Sequence, residues 1–263
     1  MAPEHTKSQD QRPVREWSGF VVTVTVGALV VWAWTDTGID PSRLGASGAR
    51  IAAFLGRMFP PDWSVLGTVV DASIETFHIA LLGTVASVVF SLVLGVLASQ
   101  SVTPPFIHVP LKWLLAAIRA IPLILVAMLM VGAVGLGPLP GILAIAFHST
   151  GMLGKFYAEA IESVAAGSLE ALDSSGATWL QKLRFGAWPQ IAPDLVRDTL
   201  FRFELNIRES LVLGLVGAGG IGFYIQTYVR AFQYDKAATL TLVVVVFVVL
   251  IELVNHVVRA SLR

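Results

Sequence analysis

A chain of 263 residues in which 55% are hydrophobic and only 14% charged, with a mean hydropathy of +0.74, is too apolar for an ordinary soluble domain and belongs in a bilayer. Its formal net charge is zero and its basic residues are dispersed, so the electrostatic footprint of a nucleic-acid binder is missing. It has no cysteine, which excludes disulfides, thiolate metal sites and a cysteine nucleophile, and its five histidines, His5, His78, His108, His148 and His256, lack the paired spacing of a metal site.

Six apolar runs approach the ~20 residues that a spanning helix requires. The first, Trp17 to Trp34, has tryptophans at both edges, the residue type that favours the headgroup interface, and no small-residue cleavage site follows it, so it is expected to remain as an anchor. Between it and the next run, Pro41 to Met58 mixes Leu44, Ile51, Phe54 and Leu55 with Arg43, Arg50 and Arg57. This pattern fits either an amphipathic helix on the outer surface or a solvated connector, since three glycines weaken a helix there. The second run, Ile74 to Ala98, stops before Thr103-Pro104-Pro105, and the third runs from Lys112 to Val134 as one span, ending in Gly135-Leu136-Gly137-Pro138. Gly141 to Ala160 is the fourth, the residues from Pro193 to Val216 are the fifth, and Ala237 to Val258 is the sixth. Residues 1–16 are then a tail, 17–60 the first span with its connector, and 61–263 a five-helix core that includes a polar loop over 161–190.

Eight basic residues lie on one side (Lys7, Arg12, Arg15, Lys112, Lys182, Arg184, Arg259, Arg263) and five on the other (Arg43, Arg50, Arg57, Arg230, Lys236). That count places both termini and the 161–190 loop in the cytoplasm. A helix pair needs only a few residues to turn round, so a loop of this length asks for a partner.

Within the spans, Gly83, Ser87, Ser91 and Gly95 recur at every fourth position and form a small-residue face for close helix packing. Gly217-Ala218-Gly219-Gly220-Ile221-Gly222 matches GxGxxG but lies between two membrane runs instead of in a strand-helix unit, so it reads as a flexible break. Gly154-Lys155 has serine at position 149 and phenylalanine after the lysine, and is no phosphate loop. His148-Ser149-Thr150 are successive helix positions that diverge by about 100° each, so they do not form a triad.

The fifth run is unusual because Arg197, Asp198, Arg202, Glu204, Asn206, Arg208 and Glu209 lie in or beside it, and charges at such depth are costly. Helical spacing puts Asp198, Arg202, Asn206 and Glu209 on one side, with Arg197, Glu204 and Arg208 roughly opposite. Two readings coexist. Asp198 with Arg202 and Glu204 with Arg208 neutralise one another at i,i+4, or Arg208, and less directly Arg202, Glu204, Asn206 and His148, line a path for an anion.

Glu170-Ala171-Leu172, three further residues, Gly176, and Pro189 nineteen positions after Glu170 resemble the cytoplasmic EAA loop of ABC-importer permeases. Leu172 replaces the second alanine, and Gly186 and Trp188 stand at the isoleucine and leucine positions. Glu75-Thr76-Phe77, Arg119-Ala120-Ile121-Pro122, Gly151-Met152-Leu153-Gly154-Lys155, Glu159-Ala160-Ile161-Glu162 and Arg202 to Arg208 make the stretch from about Pro61 onward similar to permeases of phosphonate importers, with Leu123 and Glu209-Ser210 departing from the usual pattern.

The resemblance implies an all-α membrane protein with six transmembrane helices in a type I ABC importer permease fold, with a cytoplasmic coupling helix in which Glu170, Ala171, Gly176 and Pro189 meet the ATPase. It implies a homodimer in the inner membrane, two copies of a cytoplasmic ATPase subunit that carry the ATP and Mg, and an extracytoplasmic binding protein. Phosphonate, phosphate or phosphite is the implied cargo. No catalytic residue, metal or cofactor is expected in this chain. The alternatives are a methionine- or osmoprotectant-type importer permease and a secondary anion transporter, the last disfavoured because its halves show no internal similarity.

Overall fold

The computed structural model describes residues 12–38, 41–164 and 166–261, and the regular structure among them is helical throughout. The chain divides between Gly56 and Arg57 into two units. The first contains α1 (Arg12–Asp36) and α2 (Pro41–Gly56). α1 has 25 residues and so a length of about 38 Å, enough to cross a hydrocarbon core of about 30 Å. The connector read from sequence as either amphipathic or irregular is helical in spite of its glycines.

In the second unit Asp62 accepts from the Ser64 amide at 2.9 Å and starts a short turn that leads into α3 (Leu66–Ala98). α3 therefore begins eight residues before the expected Ile74, since nothing between Leu66 and Ile74 breaks a helix. α4 (Pro105–Ala120) opens on a proline, whose missing amide costs nothing in a first turn. The third run, expected as one span over Lys112 to Val134, is two helices. α4 and α5 (Leu123–Val134) meet at an 85° bend, because Pro122 drives Ile121 out of the helical region to φ −82°, ψ 121°. Then follow α6 (Pro138–Glu162), α7 (Ala166–Ser174), the short α8 (Trp179–Gln181) with a widened turn over Lys182–Ala187, α9 (Trp188–Gly214), α10 (Gly220–Arg230) and α11 (Tyr234–Ser261).

Gly19–Asp36, Trp63–Ala98 and Tyr234–Asn255 are long and apolar enough to cross a membrane, and the α4–α5 pair is a fourth if counted as one broken span. Within the second unit, α6 is the packing hub. On one side it meets the small-residue face of α3: a Cβ on Gly83 would stand 2.6 Å from the Ile145 side chain, and one on Gly95 would stand 2.7 Å from Tyr157 Cβ. Ser91 Oγ donates to the Thr150 carbonyl at 3.3 Å between them. On its other side the glycines belong to α6 itself, where Gly151 sits against Ile118 and Gly154 against Leu115 of α4. Lipid tails are as apolar as leucine, so helices gain by close van der Waals contact and not by escaping solvent, and glycine on alternate sides allows three backbones to approach. Apolar clusters fill the rest, Ile79, Ala127, Ala144, Ile145, Leu213 and Ala218 towards one end and Leu153, Tyr157, Ile161, Ile191 and Leu195 towards the other.

Gly95→Leu should lower the melting temperature of the detergent-purified chain and cost about 1–3 kcal/mol, since Tyr157 Cβ is fixed to its backbone and cannot rotate away. Gly132→Ala, with nothing within 4 Å, should be neutral or slightly stabilising in the same melt. Equal tolerance at the two positions would contradict close packing on α6.

Candidate functional site

Two regions combine charge with placement. The first is the buried face of α9. Arg202 is only 2% exposed and Asn206 is fully buried. Arg202 Nε donates to Ser149 Oγ on α6 at 2.9 Å, and Ser149 Oγ donates to Asn206 Oδ1 at 2.9 Å. Asn206 Nδ2 donates to Thr84 Oγ1 on α3 at 2.8 Å, and Thr84 returns its hydroxyl to the Ala80 carbonyl at 2.6 Å. The guanidinium reaches Glu209 Oε2 at 2.7 Å, two turns along α9. One chain of polar contacts thus runs Thr84, Asn206, Ser149, Arg202, Glu209 and stitches three helices together.

This corrects one expected pair. Asp198 does not take Arg202; it lies 3.6 Å from Arg197, which also holds Asp194 at 2.8 Å, and Arg202 pairs with Glu209 instead. The other expected pair forms: Arg208 meets Glu204 at 2.9 Å and gains Glu252 of α11 at 2.6 Å. Arg208 is half-exposed on the face opposite Arg202. His148 stands beside Ser149 on α6, with its Nδ1 buried and without a hydrogen-bond partner. The candidate residues therefore separate into an interior group, Arg202 and Asn206 with His148 adjacent, and an outer group, Glu204 and Arg208.

The glycine run after α9, expected as a flexible break, is a packed junction. Gly217, Gly219 and Gly220 have φ of 93°, 79° and 71°, and the Ile221 amide donates to Thr76 Oγ1 on α3 at 2.9 Å. The Gly217 carbonyl accepts from the Gly137 amide at 3.0 Å, so this run and the loop before α6 close on each other. A Cβ on Gly214 would fall 2.6 Å from the Phe223 amide, and one on Gly222 would run into the Leu211 carbonyl, which fastens α10 against α9.

The second region is the segment from α7 to the start of α9. Glu170 and Ala171 lie on α7 and are exposed, as are Gly176 and Pro189. Gly176 has φ 75° and the Ala177 amide donates to the Leu172 carbonyl at 3.0 Å, a left-handed glycine closure of the helix end. Nothing stands within 4 Å of a Cβ placed on Gly176, so its glycine serves the backbone and not internal packing. Thr178 and Gln181 then cap α8 reciprocally: the Gln181 side chain accepts from the Thr178 amide at 2.8 Å and the Gln181 amide donates to Thr178 Oγ1 at 3.4 Å. The Thr-x-x-Gln spacing was the signal for this cap in the sequence. Leu180, Phe185 and Trp188 are 66%, 64% and 48% exposed around it, with the Arg184 guanidinium 5.6 Å from the Phe185 ring centre. The four coupling candidates are thus brought to one surface segment that also carries large apolar side chains. Buried packing explains none of them, whereas a docked protein partner would cover such a patch.

Residues 91–263 match the family model described as "Binding-protein-dependent transport system inner membrane component". The phosphite transport system permease protein PtxC of Stutzerimonas stutzeri is 37% identical over 92% of this chain and 88% of its own length. The phosphate-import permease protein PhnE of Mycolicibacterium smegmatis is 37% identical over 89% of this chain, which spans 44% of that protein. Among solved structures, an inward-facing MetNI methionine ABC transporter superposes with a TM-score of 0.68 at 20% identity, covering 77% of this chain and 99% of that one. A likeness at that identity concerns the fold.

Glu209→Gln should destabilise the chain by up to about 3 kcal/mol, because it leaves a buried guanidinium without its counter-charge. Adding Arg202→Met should recover much of the loss, read as melting temperature of the purified single and double variants. Additive losses in that cycle would mean that the two residues are not coupled.

Proposed function

Since the chain belongs to the family of binding-protein-dependent transport system inner membrane components, and is therefore a transport subunit and not an enzyme, we propose that it is the permease of an ATP-driven importer for phosphite, phosphate or phosphonate. The observation that carries the substrate class is the 37% identity to a phosphite permease across nearly the whole of both chains. ATP is hydrolysed in a partner, and an extracytoplasmic binding protein delivers the solute. A second copy of this chain completes the pore, and both termini lie in the cytoplasm.

The crossings in this reading are α1, α3, the bent α4–α5 pair, α6, α9 and α11. α9 enters the membrane with its charges because Arg202 and Asn206 are enclosed by α3 and α6 and because Arg208 is compensated by Glu204 and Glu252. α7 is the coupling helix. It sits in the link between α6 and α9, so a displacement imposed by the ATPase reaches both helices of the polar network at once. The exposed face of α9 lines the path, where Arg208, shared between two carboxylates, is the cation that an oxyanion can attract.

Gly176→Val keeps the surface open but strains the helix end by about 1–2 kcal/mol. In proteoliposomes carrying the permease, its ATPase and its binding protein, ATP-dependent uptake of labelled phosphite should fall about 5–30-fold if that strain is felt at the docked surface. Gly176→Asn, which tolerates this backbone, should keep most of the uptake. Wild-type transport by the valine variant would sink the coupling role, and uptake of methionine in place of the oxyanions would sink the substrate class.

Arg208→Gln should slow uptake at least several-fold while the assembled complex melts normally and the binding protein still docks. Unchanged rate and affinity would remove Arg208 from the path.

A further inference from the structure

Neither the pathway nor the coupling surface uses a basic cavity where α3, α4 and α6 come together. It reaches Ala98, the last residue of α3, and Glu162, the last of α6, so it lies at the end of the bundle that carries α7. Its volume is about 140 Å³, well above the ~10–15 Å³ that a single water requires on the same measure. Lys112 and Arg119 of α4 and Lys155 of α6 line it, with Glu159 and Glu162.

The charges do not cancel. Lys112 pairs with Glu162 at 2.9 Å and Lys155 with Glu159 at 3.2 Å. Arg119 has no ion pair among the described residues, and its Nε is buried with no hydrogen-bond partner. Glu162 directs Oε1 to the Gln100 amide at 2.8 Å and to Lys112 at 2.9 Å, and forms no ion pair with Arg119. A guanidinium cannot shed its proton, so the cavity retains one uncompensated cation and at least one unmet donor.

We propose that this cavity binds a phosphate group, with Arg119 as the anchor and Lys112 and Lys155 as flanking charges. The planar fork of an arginine matches the oxygens of a phosphate, and the two lysines are point charges on flexible stems that can share themselves between a glutamate and an incoming anion. The group arrives either on the headgroup of an anionic phospholipid at the rim of the bundle or as a free oxyanion from the α7 side. The site is separate from the half-exposed face of α9, and does not depend on which solute the chain carries.

The test uses the detergent-purified full chain and two probes at matched ionic strength: inorganic phosphate, read as a concentration-dependent rise in melting temperature, and phosphatidylglycerol, read as lipid retained in native mass spectrometry. The wild type should bind at least one of them saturably, and Arg119→Gln should weaken that probe about tenfold or more. Arg119→Lys, which keeps the charge but not the fork, should fall between. Lys155→Gln, at the more exposed rim, should weaken it less and decides the matter if Arg119→Gln does not fold. Loss of phosphate binding alone identifies a free-oxyanion site, and loss of lipid alone identifies a headgroup site. Absence of both probes from the wild type, or retention unchanged in Arg119→Gln and Lys155→Gln, overturns the proposal.

Discussion

A guanidinium enclosed between three helices constrains this molecule more than any other group. Arg202 is almost wholly buried and permanently charged, so it has to find a counter-charge and hydrogen-bond acceptors inside the protein. It finds Glu209 on its own helix and Ser149 on α6, and the demand then passes through Asn206 to Thr84 on α3. Each such bond contributes about 0.5–1.5 kcal/mol net, but each orphaned member would cost about 1–3 kcal/mol. Position is therefore fixed more by what would be lost than by what is gained. α9 can neither rotate nor slide without unpairing several buried groups together.

That constraint depends on the close approach of α3 and α6. Ser149 and Thr84 reach a common asparagine because Gly83 and Gly95 let the two backbones meet around Ile145 and Tyr157. Gly151 and Gly154 do the same for α4 on the far side of α6. Small residues and polar residues are thus two halves of one arrangement: glycine brings the helices near enough for side chains as short as serine and threonine to span the gap. The polar contacts then select one register among the many that small-residue faces alone would permit. At the other end of α9, the glycine junction with α3 and the loop before α6 closes the same three elements again.

The segment from α7 to Trp188 has the opposite character. Glu170, Ala171, Gly176, Leu180, Phe185 and Trp188 are exposed, its helix end is closed by Gly176 and its short helix by a reciprocal cap, so local backbone chemistry shapes it. A shaped but exposed segment, joined at both ends to helices that share a buried network, has the mechanical form that a coupling element requires. In the proposed coupling role, motion imposed there would not dissipate in a loose α9, because α9 is held by groups that are costly to unpair.

Much of this was legible in the chain. The small-residue face and the Glu204–Arg208 pair follow from spacing, since an i,i+4 relation on a helix already fixes which residues are neighbours, and the Glu170 to Pro189 segment stood out by its length, its polarity and its resemblance to a known loop. Composition placed the protein in a bilayer, and the position of Pro122 carried the bend between α4 and α5 even though the apolar run masked it. Tertiary structure alone decided which partner each buried charge took. Arg202 had Asp198 four residues before it and Glu209 seven residues after it, both admissible on a helix, and the choice fell to Glu209 while Asp198 went to Arg197. It also decided that the glycine run is a packed junction, because whether glycine yields a flexible or a close-fitted turn depends on what stands against it. Sequence sets the local geometry and the list of groups that need partners; only the packing of α3, α6 and α9 brings distant groups within reach, and burial then removes water as an alternative.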